Sequence, residues 1–282
     1  MKTLIAAGSL LLAAALPLAA QEPSSALQAA VDSRSEEDKA RDTYRHPAET
    51  LAFFQVEPGM TVAEALPGGG WYTRVLAPYL GSEGSWYGVN YADTMWPLFG
   101  FFSEERIAQR IASTAKFPDM VAEITDNGIN AQGFTFGTVP PELAATVDRV
   151  LMVRALHNLN RFEESAGTRS QALAATRSLL KDDGMVGVVQ HRLPESAAAE
   201  GADGSRGYLK QSDVVAAFEA AGFELVASSE INANPKDVPG AEDIVWRLPP
   251  SLNGSAEDPE KREAMKAIGE SDRMTLLFRK AP

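Results

Sequence analysis

The sequence predicts a doubly wound α/β domain, a mostly parallel sheet with helices on both faces, and three observations carry that prediction. The first is Val62-Ala-Glu-Ala-Leu-Pro-Gly-Gly-Gly-Trp-Tyr-Thr73, where a short apolar run ends on an acid and turns through three glycines into a helical pattern. Glycines let the chain turn tightly and leave bare peptide N–H groups for a ligand, and the positive end of the next helix favours a polar or anionic group. The second is Asp148-Arg-Val-Leu-Met-Val-Arg154, whose continuous apolar centre marks a strand buried on both faces. The third is the alternation of strand-like and helix-like segments along the chain, which implies parallel pairing.

The elements follow in order. Residues 1–20 read as an export signal: Lys2 supplies the positive start, Leu4 to Leu18 the apolar centre, and small residues lead to a cut after Ala20. The apolar stretch is shorter than the roughly 20 residues a membrane span needs. Residues 21–40 are polar and Ala-rich and read as a loose lead-in to a domain over 41–282. Two helical pieces are expected around Arg41-Asp42-Thr43-Tyr44-Arg45-His46-Pro47, with a break near His46 because Pro47 suits a first helical turn. Met60 to Leu66 is the first strand, Trp71 to Leu80 a helix stopped by Gly81, and Ser85 to Tyr91 the second strand. Phe101 to Ala115 reads as a helix and Met120 to Ile124 as the third strand. Glu163 to Leu180 reads as one helix ending at the turn signal Lys181-Asp-Asp-Gly184. Met185 to Gln190, Phe223 to Glu230 and Met274 to Arg279 are the remaining strands, with a helix from Gln211 to Ala221. Arg192 to Gly207 reads as a mobile loop, and 232–271 as an insertion before the last strand.

Composition narrows the function. The 26 basic and 38 acidic residues give a net charge of −12, which argues against nucleic acid or anionic lipid as a partner. The absence of cysteine removes disulfides, Cys-ligated metals and a lipid-anchored cysteine. With the signal removed, no stable membrane insertion is expected, and the protein should be periplasmic or secreted and work on a small molecule.

In a doubly wound sheet, ligands bind beyond the carboxyl ends of the parallel strands. That rule selects Glu64, Pro67, Gly68, Gly69 and Gly70 after the first strand, and Asn90 and Asp93 after the second. It selects His157 and Asn158 after the fourth, Gln190 and His191 after the fifth, and Asn234 and Asp237 after the sixth. An imidazole suits proton transfer at neutral pH, so His157 is the candidate base, with Asn158 and His191 as further catalytic candidates; a satisfied histidine at a strand end is the competing reading. Asp272 and Arg273 read most simply as an ion pair or loop anchor, and His46 with Asp42 and Arg45 as a capping cluster. The aromatics from Trp86 to Phe102 read mainly as core, although Trp96 and Phe99 are placed to wall a cofactor ring or an apolar substrate. No His-x-x-x-His or His-Glu-x-x-His spacing occurs, so no metal is assigned, and no Gly-x-Ser-x-Gly elbow supports a serine hydrolase.

The glycine turn behind Glu64, the Asp148-led strand and Ala220-Ala-Gly-Phe-Glu-Leu-Val226 together resemble the class I S-adenosylmethionine-dependent methyltransferases. More narrowly, Arg41-Asp-x-Tyr-Arg-His-Pro47, Pro67-Gly-Gly-Gly-Trp-Tyr-Thr73, His157-Asn158, Asn234-Pro-x-Asp237 and Ser271-Asp-Arg273 resemble a bacterial family of exported, predicted methyltransferases, from about residue 36 onward. The resemblance implies a Rossmann-like sheet with an antiparallel last strand and an N-terminal helical cap. It implies S-adenosylmethionine as cofactor and methyl transfer to a small molecule as activity. Two positions depart from the pattern: Leu66 stands where the first glycine is usual, and Asn90 where a carboxylate usually meets the ribose, with Asp93 nearby. Two further readings therefore stay open, a secreted non-catalytic small-ligand-binding protein on the same fold and a lyase or hydrolase that reuses the cleft.

Overall fold

The computed structural model describes residues 22–282; the expected export signal over 1–20 lies outside the described residues. The lead-in, read as loose, carries a helix, α1 (Ser25–Asp32), capped by the Ser24 hydroxyl, which accepts from the Leu27 N–H. Its apolar pair Leu27 and Val31 is spaced to share one face, and both are buried. Helix α2 (Glu36–Lys39), α3 (Asp42–Arg45) and α4 (Pro47–Phe53) complete an N-terminal cap. The expected break falls at His46, which adopts φ 40° and hands over to Pro47.

The sheet begins with β1 (Thr61–Ala65), followed by α5 (Thr73–Leu80), which packs against α1, and then β2 (Ser85–Asn90). A 3-10 segment (Asp93–Phe99), α6 (Glu104–Ala115) and α7 (Phe117–Ile124) lead to β3 (Asn130–Thr135). The third strand thus lies later than expected, and 120–124 is helical. The apolar residues of α7 pack on β2 instead of joining the sheet: a Cβ placed on Gly88 would come within 2.5 Å of the Phe117 ring.

Strand β4 (Val147–Val153) precedes α8 (Leu156–Arg161), α9 (Glu163–Ala166) and α10 (Thr168–Leu179). The single helix expected over 163–180 is divided at Gly167, which has φ 62°. Strand β5 (Leu180–Leu193) absorbs the Lys181–Gly184 turn signal as an irregularity: Val147 pairs with Leu180, but Arg149 pairs with Met185. Short β6 (Leu209–Lys210), α11 (Gln211–Ala220) and β7 (Phe223–Ser229) follow, then the insertion with α12 (Pro259–Ile268), and finally β8 (Arg273–Lys280).

The strand order is β3-β2-β1-β4-β5-β8-β7, with β6 pairing β5. Strands β1 to β5 pair in parallel, and β8 runs antiparallel to both β5 and β7, as the resemblance implied. Alternate residues feed opposite layers: Val62, Leu151 and Val189 join α4 and α5, while Ala63, Val150 and Val188 join the layer holding α10 and α11. The fold is a Rossmann-like α/β sheet with an N-terminal cap. No helix of the described residues is long and apolar enough to cross a membrane. Because β1 lies between β2 and β4, the chain leaves it toward both sides of the sheet, and the crevice beyond β1 and β4 is the topological switch point.

Candidate functional site

The turn after β1 is built from left-handed residues. Leu66 (φ 58°), Gly68 (φ 59°) and Gly70 (φ 75°) all have positive φ, so Leu66 takes the conformation a glycine usually supplies. Arg154, just past β4, does the same at φ 58°. Side chains seldom occupy this region without structural support, and Leu66 and Arg154 both line the hollow at the switch point. Gly68 and Gly69 are exposed, and their N–H groups make no hydrogen bond among the described residues. A Cβ on Gly69 would meet nothing within 4 Å. Gly70 is different: it is buried, its N–H bonds to the Pro67 carbonyl at 3.0 Å, and a Cβ there would meet the Met120 sulfur at 2.9 Å. It shapes the turn from behind.

Two hollows flank this turn. Toward β2, a cleft of about 420 Å³ is bounded by Pro67 to Gly69, Asn90 and the apolar Trp96, Phe117 and Met120. The Asn90 amide nitrogen donates to Thr114 Oγ1 at 2.7 Å, which leaves its oxygen for a ligand hydroxyl. Asp93 is exposed at the start of the 3-10 segment and does not line the cleft. Toward β4, a polar hollow of about 400 Å³ is bounded by the same turn with Glu64, Tyr72, Arg154 and the cap residues Arg41 and Arg45. A larger hollow of about 500 Å³ lies between α10 and α11, away from the strand ends and without the sequence-selected residues.

Glu64 is 4% exposed, and its Oε2 has no hydrogen-bond partner among the described residues. Burial pushes its carboxyl up to about 8, against the pull of Arg154. Burial likewise pushes the Tyr72 hydroxyl up to about 12 and lowers the Arg45 guanidinium to about 10.

The cap is tied to the glycine turn by charge and aromatic stacking. The Arg34 and Arg45 guanidinium groups stand 4.8 and 4.6 Å from the centre of the Trp71 ring, whose N–H donates to the Asp38 carbonyl at 3.2 Å. Arg74 grips Asp38 through two bonds of 2.7 and 2.8 Å and donates to the Gly69 carbonyl at 2.8 Å. The Arg41–Pro47 and Pro67–Thr73 motifs thus meet where Arg45 stacks on Trp71.

His157 and His191 come together, with ring centres 5.6 Å apart, but neither lines the two hollows. His157 is 5% exposed, faces the Gln190 side-chain oxygen at 3.4 Å and packs against Trp246 of the insertion. The Arg192–Gly207 segment presses on it: a Cβ on Gly204 would fall 2.0 Å from the His157 carbonyl oxygen. Burial lowers its imidazole to about 4. His191 Nδ1 lies 2.5 Å from Ser271 Oγ, and burial, with the His157 and Arg154 charges, holds it well below the usual range. Asn158 donates to the Tyr91 hydroxyl at 3.3 Å. Asp237 is enclosed, accepting from Arg247 at 2.7 Å, the Tyr208 hydroxyl at 3.1 Å and the Asp272 N–H at 3.0 Å. Asp272 is an ion-pair partner, of Arg192 at 2.8 Å. The rim rule thus finds the glycine turn and Asn90, but misses Arg154 and the cap arginines, although Arg154 follows the strand from which His157 was chosen.

No protein-family model matches the sequence, and no curated protein sequence matches it. Among solved structures, the chain is similar to a SAM-dependent methyltransferase from Aquifex aeolicus (16% identity, 73% of this chain and 93% of that one, TM-score 0.46). It is similar to CrArsM, an arsenic(III) S-adenosylmethionine methyltransferase from Chlamydomonas reinhardtii (13% identity, 92% and 74%, TM-score 0.44). It is similar also to the [4+2]-cyclase SpnF (13% identity, 86% and 80%, TM-score 0.50). At 13% identity the likeness to SpnF shows the fold alone, the Rossmann-like α/β sheet described above.

Proposed function

We propose that the chain is exported and transfers a methyl group from S-adenosylmethionine to a small molecule. The observation that supports this best is the Leu66–Gly70 turn, whose two exposed glycines leave free N–H groups between a part-apolar cleft and a polar hollow. The cleft fits a nucleoside: Gly68 and Gly69 leave room against the backbone, the Asn90 oxygen can take a hydroxyl proton, and Trp96 and Phe117 offer apolar walls. When bound, S-adenosylmethionine supplies a methyl group on a sulfonium; an acceptor lone pair takes that carbon as the carbon–sulfur bond breaks, leaving a neutral thioether. The chain's own contribution is alignment and the exclusion of water. Where the acceptor must lose a proton, Glu64 is the group at the hollow that titrates nearest neutral pH, whereas His157 is enclosed and held far below it.

One observation favours a second reading, a non-catalytic binding protein: the second strand ends in an amide rather than a carboxylate, and Asp93 points to solvent. The cyclase SpnF has the same fold, so fold does not fix the reaction, and a lyase or hydrolase remains the third reading. Calorimetric titration of residues 21–282 with S-adenosylmethionine and S-adenosylhomocysteine tests the proposal. Saturable binding of both is expected, and binding of neither would overturn it. Mass spectrometry of the exported protein should find a start at or near Gln21; an intact Met1 in the membrane fraction would refute export.

A further inference from the structure

The chain contains two Asn-Gly pairs, Asn127-Gly128 and Asn253-Gly254, and the fold holds them in opposite ways. In such a pair no side chain shields the glycine nitrogen, which can attack the asparagine side-chain carbonyl carbon when both groups are free to approach. Asn127 is held back: its Nδ2 donates to the Ala77 carbonyl at 3.0 Å and its Oδ1 accepts from the Ile129 N–H at 3.0 Å. Asn253 lies in the insertion before β8, in an exposed turn, and its side chain makes no hydrogen bond among the described residues. Gly254 is exposed as well, its N–H has no partner among the described residues, and its φ of 73° suits glycine. Beyond its chain neighbours, a Cβ on Gly254 would meet only Lys261 Nζ, at 3.7 Å. Lys261 makes no ion pair among the described residues, and an ammonium there favours the negative charge that develops as the amide nitrogen attacks.

We propose that Asn253 is a site of spontaneous covalent modification, converting to aspartate and isoaspartate while Asn127 is spared. The Gly254 nitrogen gives its proton to water or hydroxide and bonds to the Asn253 side-chain carbon. The side-chain nitrogen leaves as ammonia, which closes a succinimide ring. Water then opens the ring: breaking the new bond gives aspartate, and breaking the original peptide bond gives isoaspartate, with one carbon added to the backbone. Nothing is oxidised or reduced, and water is the only co-reactant. Either product places a carboxylate beside Lys261. Isoaspartate also disturbs the turn, because the Ser255 hydroxyl donates to the Leu252 carbonyl at 2.7 Å across the altered bond, and Ser255 is 1% exposed. The Asn253 N–H donates to the Trp246 carbonyl at 2.9 Å, and Trp246 packs on His157. The modified turn is therefore joined directly to the segment that covers His157.

The test is incubation of residues 21–282 in oxygen-18 water at mildly alkaline pH, beside a free peptide of residues 248–261. Digestion in ordinary water and mass spectrometry follow, so that oxygen-18 marks only the conversion that preceded digestion. Asn253 should convert at a rate comparable with the free peptide. Asn127 should convert at least about tenfold more slowly, because two side-chain hydrogen bonds must first break. Asn253→Gln should abolish the labelled product at this site and leave Asn127 as it was. Lys261→Gln should slow conversion by about twofold, the scale of a single exposed charge contact. Asn253 left unmodified when the peptide is half converted overturns the site. Equal conversion at Asn127 and Asn253 overturns its selection by the fold, and a rate indifferent to Lys261→Gln overturns the role given to that ammonium.

Discussion

The hollow between β1 and β4 and the nest around His157 lie at the same end of the same sheet, yet their polar groups are completed in opposite ways. In the nest, Asp237, Tyr208 and Arg247 satisfy one another, His157 faces Gln190, and His191 faces Ser271. In the hollow, the Glu64 Oε2 and the Arg154 guanidinium have no hydrogen-bond partner among the described residues. Leaving a buried polar group unpaired costs free energy, so a fold tolerates it mainly where something else completes the bond. Both regions hold motif residues; only the hollow is unfinished.

The largest effect expected from this contrast is in the nest. Asp237→Asn leaves Arg247 enclosed without its counter-charge, and it should lower stability in urea by about 3–5 kcal/mol while S-adenosylhomocysteine affinity per folded molecule is unchanged. A variant as stable as the parent would remove the structural role of the nest. On the turn, Gly69→Val should cut S-adenosylhomocysteine affinity about 100-fold, or about 2.7 kcal/mol, because its side chain enters space a ligand needs. Its melting temperature should stay close to the parent's, since a Cβ there touches nothing. Unchanged affinity would reduce the glycines to a connection.

Glu64 sharpens the comparison through pH. Its carboxyl titrates near 8 in the fold and near 4.5 in the unfolded chain, so the unfolded state releases the proton first as pH rises. The stability linked to this proton is intact below pH 4.5 and is lost progressively as pH climbs through 8. Glu64→Gln, which cannot ionise, should therefore match the parent near pH 4 and exceed it increasingly toward pH 8, as read by unfolding at a series of pH values. A gap that is flat with pH would mean Glu64 is ionised throughout, paired with Arg154. The smallest effect belongs to His157→Asn, which should cost about 1 kcal/mol of stability for its lost contact with Gln190 and leave S-adenosylhomocysteine affinity unaltered. Its burial also predicts that no limb near pH 6.5 in any activity profile belongs to His157, and loss of such a limb in the variant would restore it as the base.

Much of the fold was legible because its signals are local. A glycine turn after an apolar strand, a proline at a helix start and an apolar run such as Val150 to Val153 each act within a few residues. The third strand was not legible, because Asn130-Ala-Gln-Gly-Phe-Thr135 sits at the sheet edge and is largely polar, while the more apolar 120–124 packs on β2 as part of a helix. A short apolar run fits either role until its neighbours are known. Helix α1 was hidden for the opposite reason: two buried side chains, Leu27 and Val31, hold it, among residues that are otherwise polar or small.

For the candidate site, the rim rule pointed to the strand ends where the two hollows lie but ranked residues by chemical versatility, which favoured histidine. Arginine carried no such mark. Its importance comes from the convergence of Arg41, Arg45, Arg154 and Arg273 on one carboxylate, and those residues are scattered along the sequence. Leu66 was similarly opaque: it departs from the glycine pattern in sequence, yet its backbone conforms to it.

The ion pair between Arg41 and Glu270 spans 229 positions in sequence. Closing so long a loop comes late in folding, because its entropic cost must be met before its contacts repay it. A chain emerging from a ribosome or a translocon therefore carries the sheet's first strands, and even the glycine turn, well before it has an arginine hollow. The arginine cluster forms only once the chain as far as Glu270 is in place. Loss of the cap helices, or any local opening around Glu270, would release Arg41 and Arg45 before the rest of the sheet is lost.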